Sequence, residues 1–322
     1  MKLKNVVNSF SERRILVIGD LILDHYIYGY AERISREAPI PILKFESERF
    51  ELGGAANTAK NLASLGAKTT VIGAIGEDRE GEKLLELLNS WKISPKAIKT
   101  GRTLRKMRIL AGGEFTKRQQ VARIDWGNGF SGNSLDRFLE EVDFEAAIIS
   151  DYGYGTVTPT IFSRLRERDK VVIIDSRNRL RQFKGATAAT PNVPETEALL
   201  GRDLNSIEEF FQEGEKLRRE LDFKALLITL GNRGLVLIED GKTPVHIEAF
   251  GGSNIVDVTG AGDTVAAVFT LAIASGADFR TAAILANIAG GLSVMKEGAS
   301  SLTLEELNEG VERWELLQEK KL

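Results

Sequence analysis

The sequence predicts an α/β fold in which a mostly parallel central sheet is covered by helices and carries a small β-sheet lid. Three observations predict it. Short, continuous β-branched runs recur along the chain, and amphipathic stretches lie between them. Two segments of alternating aromatic and charged residues interrupt that rhythm.

The first run, Ile15-Leu16-Val17-Ile18-Gly19, reads as a strand buried on both faces. Comparable runs occupy residues 70–73, 146–150, 171–175 and 225–229. Between them, residues 81–91, 135–142, 160–167 and 207–221 show helical periodicity. Strand and helix in alternation place a parallel sheet between helical layers. Residues 234–239 and 245–250, divided by Asp240-Gly241, predict a hairpin. Helices are then expected over residues 262–275, 278–294 and 303–318, the last opening on the capping pattern Thr303-Leu304-Glu305-Glu306. Residues 25–52 and 103–125 contain no good helix and read as the lid, two insertions into a single domain spanning residues 1–322.

Composition narrows the function. With 43 basic against 46 acidic residues and a net charge of −3, the chain has no global attraction for nucleic acid or acidic membrane. Any anion site must be local. The absence of cysteine excludes disulfides, thiolate metal sites and cysteine nucleophiles. His25 and His246 are the only histidines, too few for a His-rich metal site. No N-terminal apolar run suits a signal peptide, and residues 265–274 reach about half of a bilayer span. The expectation is a soluble, cytoplasmic protein.

Three segments carry chemistry. In Gly53-Gly54-Ala55-Ala56-Asn57, paired glycines before a helix allow close backbone approach, and the free N–H groups favour a polar or anionic ligand. A tight strand-to-helix turn is the plainer account. In Asp257-Val258-Thr259-Gly260-Ala261-Gly262-Asp263-Thr264, backbone amides converge with the positive end of a helix. Helix capping explains one acidic residue and one glycine, not two of each. A carboxylate beside an anion hole is what phosphoryl transfer needs, with Asp263 taking the proton of an attacking hydroxyl. Asn192-Val193-Pro194-Glu195 is a well-made helix start, and alternatively a place for hydrated Mg²⁺. Residues 76–83 fail the P-loop pattern because Glu82 separates Gly81 from Lys83. Residues 260–265 lack the third glycine of a dinucleotide fingerprint.

With these segments in this order, residues 14–300 resemble the ribokinase-like (phosphofructokinase-B) family of carbohydrate kinases. Further motifs, Gly19-Asp20-Leu21-Ile22-Leu23-Asp24-His25-Tyr26 and Arg33-Ile34-Ser35-Arg36-Glu37-Ala38-Pro39-Ile40-Pro41, are similar to its D-glycero-D-manno-heptose-7-phosphate kinases. Two segments depart from that group's usual pattern. Ser35-Arg36-Glu37-Ala38-Pro39 stands where it reads Ser-Pro-Glu-Ala-Pro, and Ser176-Arg177-Asn178 where it reads Pro-Lys-Gly.

The resemblance implies a ribokinase-like three-layer fold and ATP-dependent transfer to a sugar hydroxyl, with Mg²⁺ and room for a monovalent cation. It implies Asp263 as base and the amides of Gly260, Ala261 and Gly262 as anion hole. Asp24, Gly53, Gly54 and Asn57 would bind sugar hydroxyls. Asn192 and Glu195 would sit near Mg²⁺ and the nucleotide phosphates, with Thr229, Gly231, Gly234 and Asn287 on the nucleotide side. Lys106, Arg108 and Arg123 on the lid would hold an acceptor phosphate, or else form a solvated strand face. The heptose kinase can be followed by a nucleotidyltransferase domain, and none is expected within this chain. Two chains are expected to pair through their lids. A kinase of ribose, fructose, another sugar phosphate or a nucleoside is the main alternative; a non-catalytic sugar-binding regulator is the remote one.

Overall fold

Alternate residues of the first strand enter two different cores. Ile15 and Val17 join one, while Leu16 and Ile18 join the other, which is why that run is continuously apolar. The computed structural model describes residues 2–112, 118–127, 129–130, 135–251, 255–296, 298 and 300–320.

The chain begins with α1 (Leu3–Asn8), β1 (Arg14–Gly19), β2 (Leu21–Ile34), β3 (Pro41–Gly54), α2 (Ala55–Ser64), β4 (Lys68–Ile75), α3 (Arg79–Ser90) and β5 (Ser94–Lys99). There follow β6 (Leu104–Gly112), β7 (Gln119–Trp126), a 3₁₀ segment (Leu135–Glu141), β8 (Ala146–Asp151), α4 (Pro159–Glu167), β9 (Val171–Ser176) and β10 (Ala188–Ala189). The last part holds α5 (Val193–Leu200), α6 (Ile207–Leu221), β11 (Ala225–Thr229), β12 (Leu235–Glu239) and β13 (Val245–Ile247). Helices α7 (Ala261–Ala274), α8 (Phe279–Ser293) and α9 (Leu304–Glu319) close it.

Among the described residues the larger sheet has the order β13-β12-β11-β10-β9-β8-β1-β4-β5. Its strands from β11 to β5 are parallel, and β12 and β13 are antiparallel, as the Asp240-Gly241 turn predicts. Helices α1, α2, α7, α8 and α9 contribute to the core on one face, and α4, α6 and the 3₁₀ segment to the other. Strand order reverses at β1, which pairs with β4 on one side and β8 on the other. The crevice beyond the carboxyl ends of β1 and β8 is therefore where a ligand is expected.

The smaller sheet has the order β3-β2-β6-β7. It is mixed, because β2 runs parallel to β6 although the outer pairs are antiparallel. Its third strand is fastened to the main body by Asp78, which accepts from the Thr103 N–H at 2.9 Å and from the Thr103 hydroxyl at 2.6 Å.

One local expectation changes: the helix expected over residues 135–142 winds as a 3₁₀ segment over Leu135–Glu141. Residues 94–99, with Pro95 and two lysines, form the outer strand β5; a proline is tolerated there because an edge has one unpaired side. No described helix is long and apolar enough to cross a membrane.

Candidate active site

Helix α7 starts at the crevice. Gly260 caps it with φ 78°, a left-handed conformation that side chains disfavour. Asp257 holds the approach to that turn by accepting from the N–H groups of Thr259 at 2.9 Å and Gly298 at 3.0 Å. The first amides of the helix, Gly262's among them, have no intrahelical partner. Gly262 faces open space, with nothing within 4 Å of where a Cβ would stand.

One residue further on, Asp263 is 5% exposed. Its Oδ2 accepts from Asn57 Nδ2 at 2.6 Å, and its Oδ1 from the hydroxyls of Tyr152 at 3.0 Å and Thr58 at 3.3 Å. Burial pushes its carboxyl above the usual range, against the pull of those three donors. Such a carboxylate is a stronger proton acceptor than one in open solvent.

On the lid side, Asp24 is 5% exposed and accepts from Arg108 Nη1 at 2.6 Å. Glycine at 53 is required by contact: a Cβ there would stand 2.5 Å from Asp24 Oδ2. Gly54 ends β3 and caps α2, which carries Asn57 and Thr58 to Asp263. The amide of Asn57 is therefore aimed at the acid, while its Oδ1 is buried without a hydrogen-bond partner.

The lid cations do not converge as one open trio. Arg108 is paired with Asp24, and Arg123 grips Asp125 through two hydrogen bonds at 2.7 Å. Lys106 is buried, makes no ion pair among the described residues, and places Nζ 4.7 Å from the Tyr152 ring centroid. Burial lowers its pKa.

Across the crevice, Asp263, Gly260 and Gly262 share a cavity with Asn192, Glu195, Asp175 and Arg177. Asn192 and Glu195 form a capping box: Oδ1 of Asn192 accepts the Glu195 N–H at 2.9 Å, and Glu195 returns the contact at 3.0 Å. Both readings of this segment thus fall on the same residues. An adjoining, more apolar cavity is lined by Thr229, Gly231, Gly234, Ala261 and Asn287 together with Phe250 and Val265. The two cavities share Val258 and Gly262. Asn287 donates to the Glu248 carbonyl at 2.8 Å, which fixes its amide at the cavity wall.

For a metal, no group of three or more His, Cys, Asp or Glu residues gathers among the described residues. The donors facing the cavity are hard oxygens, among them the Glu195, Asp175 and Asp263 carboxylates and the Asn192 amide. That set suits Mg²⁺, which keeps several waters and completes its shell with phosphate oxygens.

Three residues escaped the sequence reading as site components. Tyr152 touches Asp263, Asp20 organises the loop that presents Tyr152, and Asp175 lines the cavity. Only position could have found them, since each lies at or just beyond the carboxyl end of β1, β8 or β9.

Residues 12–306 match the pfkB family carbohydrate kinases. The chain belongs to that family. It is a phosphotransferase with a sugar acceptor. Bifunctional protein HldE of Haemophilus influenzae is 35% identical over 312 residues, covering 94% of this chain and 64% of that protein. HldE of Hahella chejuensis is 36% identical over 314 residues, with the same coverage of 94% and 64%. The chain thus spans less than two thirds of the length of these relatives. Phosphofructokinase-2 from Escherichia coli in complex with potassium superposes with a TM-score of 0.79 at 18% identity, covering 94% of this chain and 99% of that one. Arabidopsis thaliana ribokinase complexed with ribose and ATP gives 0.74 at 19%, covering 93% and 99%. These likenesses show the ribokinase-like fold, with its mostly parallel sheet and smaller second sheet.

Proposed function

We propose that the chain transfers the γ-phosphoryl of MgATP to a hydroxyl of D-glycero-D-manno-heptose 7-phosphate, at position 1, in ADP-heptose synthesis. The observation that carries this reading is Asp263, buried between a nucleotide-side cavity and the lid side that holds Asp24 and Lys106. The identity to the HldE proteins supports the heptose acceptor.

In this reading Asp24, the backbone of Gly53 and Gly54, and Asn57 orient the sugar. Asp263 accepts the proton of the attacking hydroxyl. The amides of Gly260 and Gly262 face the charge that builds on the transferred phosphoryl, while the Ala261 N–H, expected to join them, donates instead to the Val258 carbonyl at 3.3 Å; Arg177 adds a cation from the far wall. Thr229, Gly231, Gly234 and Asn287 shape the nucleotide pocket. Asn192 and Glu195 would hold hydrated Mg²⁺, which supplies charge neutralisation on the ATP phosphates. The smaller sheet closes as a lid and keeps water from the phosphoryl group.

One observation favours a neutral acceptor instead. Arg108 and Arg123 are already paired with carboxylates, which leaves Lys106 to meet a sugar phosphate. A coupled ADP-release panel with heptose 7-phosphate, fructose 6-phosphate, ribose and fructose decides between them. The proposal expects the highest kcat/KM for heptose 7-phosphate and a sharp rise of its KM in Lys106→Ala; a preference for ribose or fructose contradicts it.

Two copies pair through their lids, whose edge strands are exposed and whose surface carries Ile34, Ile40, Phe45, Val121 and Ile124. A monomeric mass in sedimentation would contradict this.

A further inference from the structure

Asp263 is reached by a loop at the end of β8, and that loop is organised around one tyrosine. Tyr152 donates its hydroxyl to Asp263 Oδ1 at 3.0 Å. The buried carboxylate of Asp20 accepts the N–H groups of Tyr152 at 2.8 Å, Tyr154 at 3.2 Å and Thr156 at 3.3 Å. Three donors on one carboxylate hold residues 152–156 against the end of β1, so the phenol arrives at Asp263 on a fixed backbone. The ring itself faces two cations. Lys106 Nζ is 4.7 Å and the Arg177 guanidinium 5.6 Å from its centroid. Lys106 belongs to β6 of the smaller sheet, and Arg177 follows β9. The ring therefore stands between the lid and the acid.

We propose that Tyr152 is a positioning residue of the transfer reaction, whose hydroxyl keeps the Asp263 carboxylate ionised and aimed at the acceptor while its ring ties that aim to the lid strand carrying Lys106. The proposal rests on the reading of Asp263 as the base.

The other groups facing Asp263 set the direction of the effect. Asn57 and Thr58 from α2 donate to it, and Lys60 from the same helix adds positive charge; Asp24 from β2 and Asp175 from β9 oppose its ionisation. Beyond the ring stand Lys106 and Arg177. Burial holds the Tyr152 phenol well above its ordinary pKa, so it stays protonated and remains a donor. Removing that donor leaves the carboxylate with less support, and it binds its proton more tightly.

The test uses protein carrying ¹³C at its aspartate carboxyls. The resonance missing from Asp263→Asn is followed against pH in the ligand-free chain. In Tyr152→Phe its midpoint should lie higher by about one pH unit, because one donor to a charged acceptor is gone. A fluorinated tyrosine placed at 152 is a more acidic donor and should move the midpoint down. It keeps the ring's contacts, so it reports even where Tyr152→Phe does not fold. Midpoints unchanged in the variants overturn the proposal. In turnover, Tyr152→Phe should shift the acid limb upward by about one pH unit, lose about tenfold in kcat on that limb and leave the KM for MgATP unchanged. A uniform loss with an unshifted limb would make Tyr152 merely structural, and also overturns it. The titration needs no acceptor sugar, so failure of the kinase reading in an acceptor panel is seen separately.

Discussion

Replacing Gly53 by alanine tests the sugar side of the site with one methyl group. Gly53 does not have the positive φ of its neighbour Gly54, so alanine adds no backbone strain there. The new Cβ would instead lie 2.5 Å from Asp24 Oδ2 and 2.9 Å from its Cγ. Ordinary contact demands that the carboxylate retreat by about 1 Å. Asp24 is buried and held by Arg108 at 2.6 Å, so that retreat strains a charge-assisted hydrogen bond. Such bonds contribute about 1.5–3 kcal/mol. At about 1.4 kcal/mol per tenfold, the acceptor's KM should rise by about 10- to 150-fold. Steady-state kinetics with each substrate varied in turn measure it, and the KM for MgATP should stay within about twofold. An unchanged acceptor KM, or an equal rise in both constants, refutes the assignment of Asp24 and Gly53 to the sugar.

Two further predictions concern stability. Arg179 donates through Nε to Asp151 Oδ2 at 3.0 Å, and the Asp151 side chain has 0% exposure. Arg179→Ala should cost about 3 kcal/mol in denaturant unfolding, the low end for an orphaned buried charge, because Ser176 and Gly153 still donate to Asp151; a loss under about 1 kcal/mol would show that those two suffice. Burial, and then the neighbouring Asp263, Glu195 and Asp151 carboxylates, push Asp175 well above the usual carboxylate range. A carboxyl raised in the folded state contributes its stability at low pH and loses it as pH rises through the folded value. Asp175→Asn should therefore raise the melting temperature of the ligand-free chain at neutral pH, with the gain shrinking as pH falls through the raised folded value and gone below about pH 4, where the unfolded carboxyl is itself protonated. A gain independent of pH would contradict this.

The larger sheet was legible because burial on both faces writes itself into a strand locally: residues 225–229 and helix 207–221 match their expected bounds. Caps were legible for the same reason, as the Thr303–Glu306 box shows. Pairing between distant strands was not. Nothing near Tyr26 announces that β2 runs parallel to β6, since each strand's own pattern fits either direction. The site divides in the same way. The glycines and acids around Asp263 lie within one segment, but Tyr152 meets it from 111 residues away. Asn57, expected on the sugar alone, spends its amide nitrogen on Asp263 from 206 residues away. Only the fold brings those groups together.

ADP release by Asp263→Asn, measured with saturating MgATP and the best acceptor of the panel, tests the central claim most directly. The substitution keeps the size of the side chain and removes the proton acceptor. General-base catalysis contributes about 10²- to 10⁴-fold, and turnover should fall by that much while nucleotide affinity, read by calorimetry, is retained. Turnover close to that of the unaltered chain would contradict the assignment of Asp263 as the base.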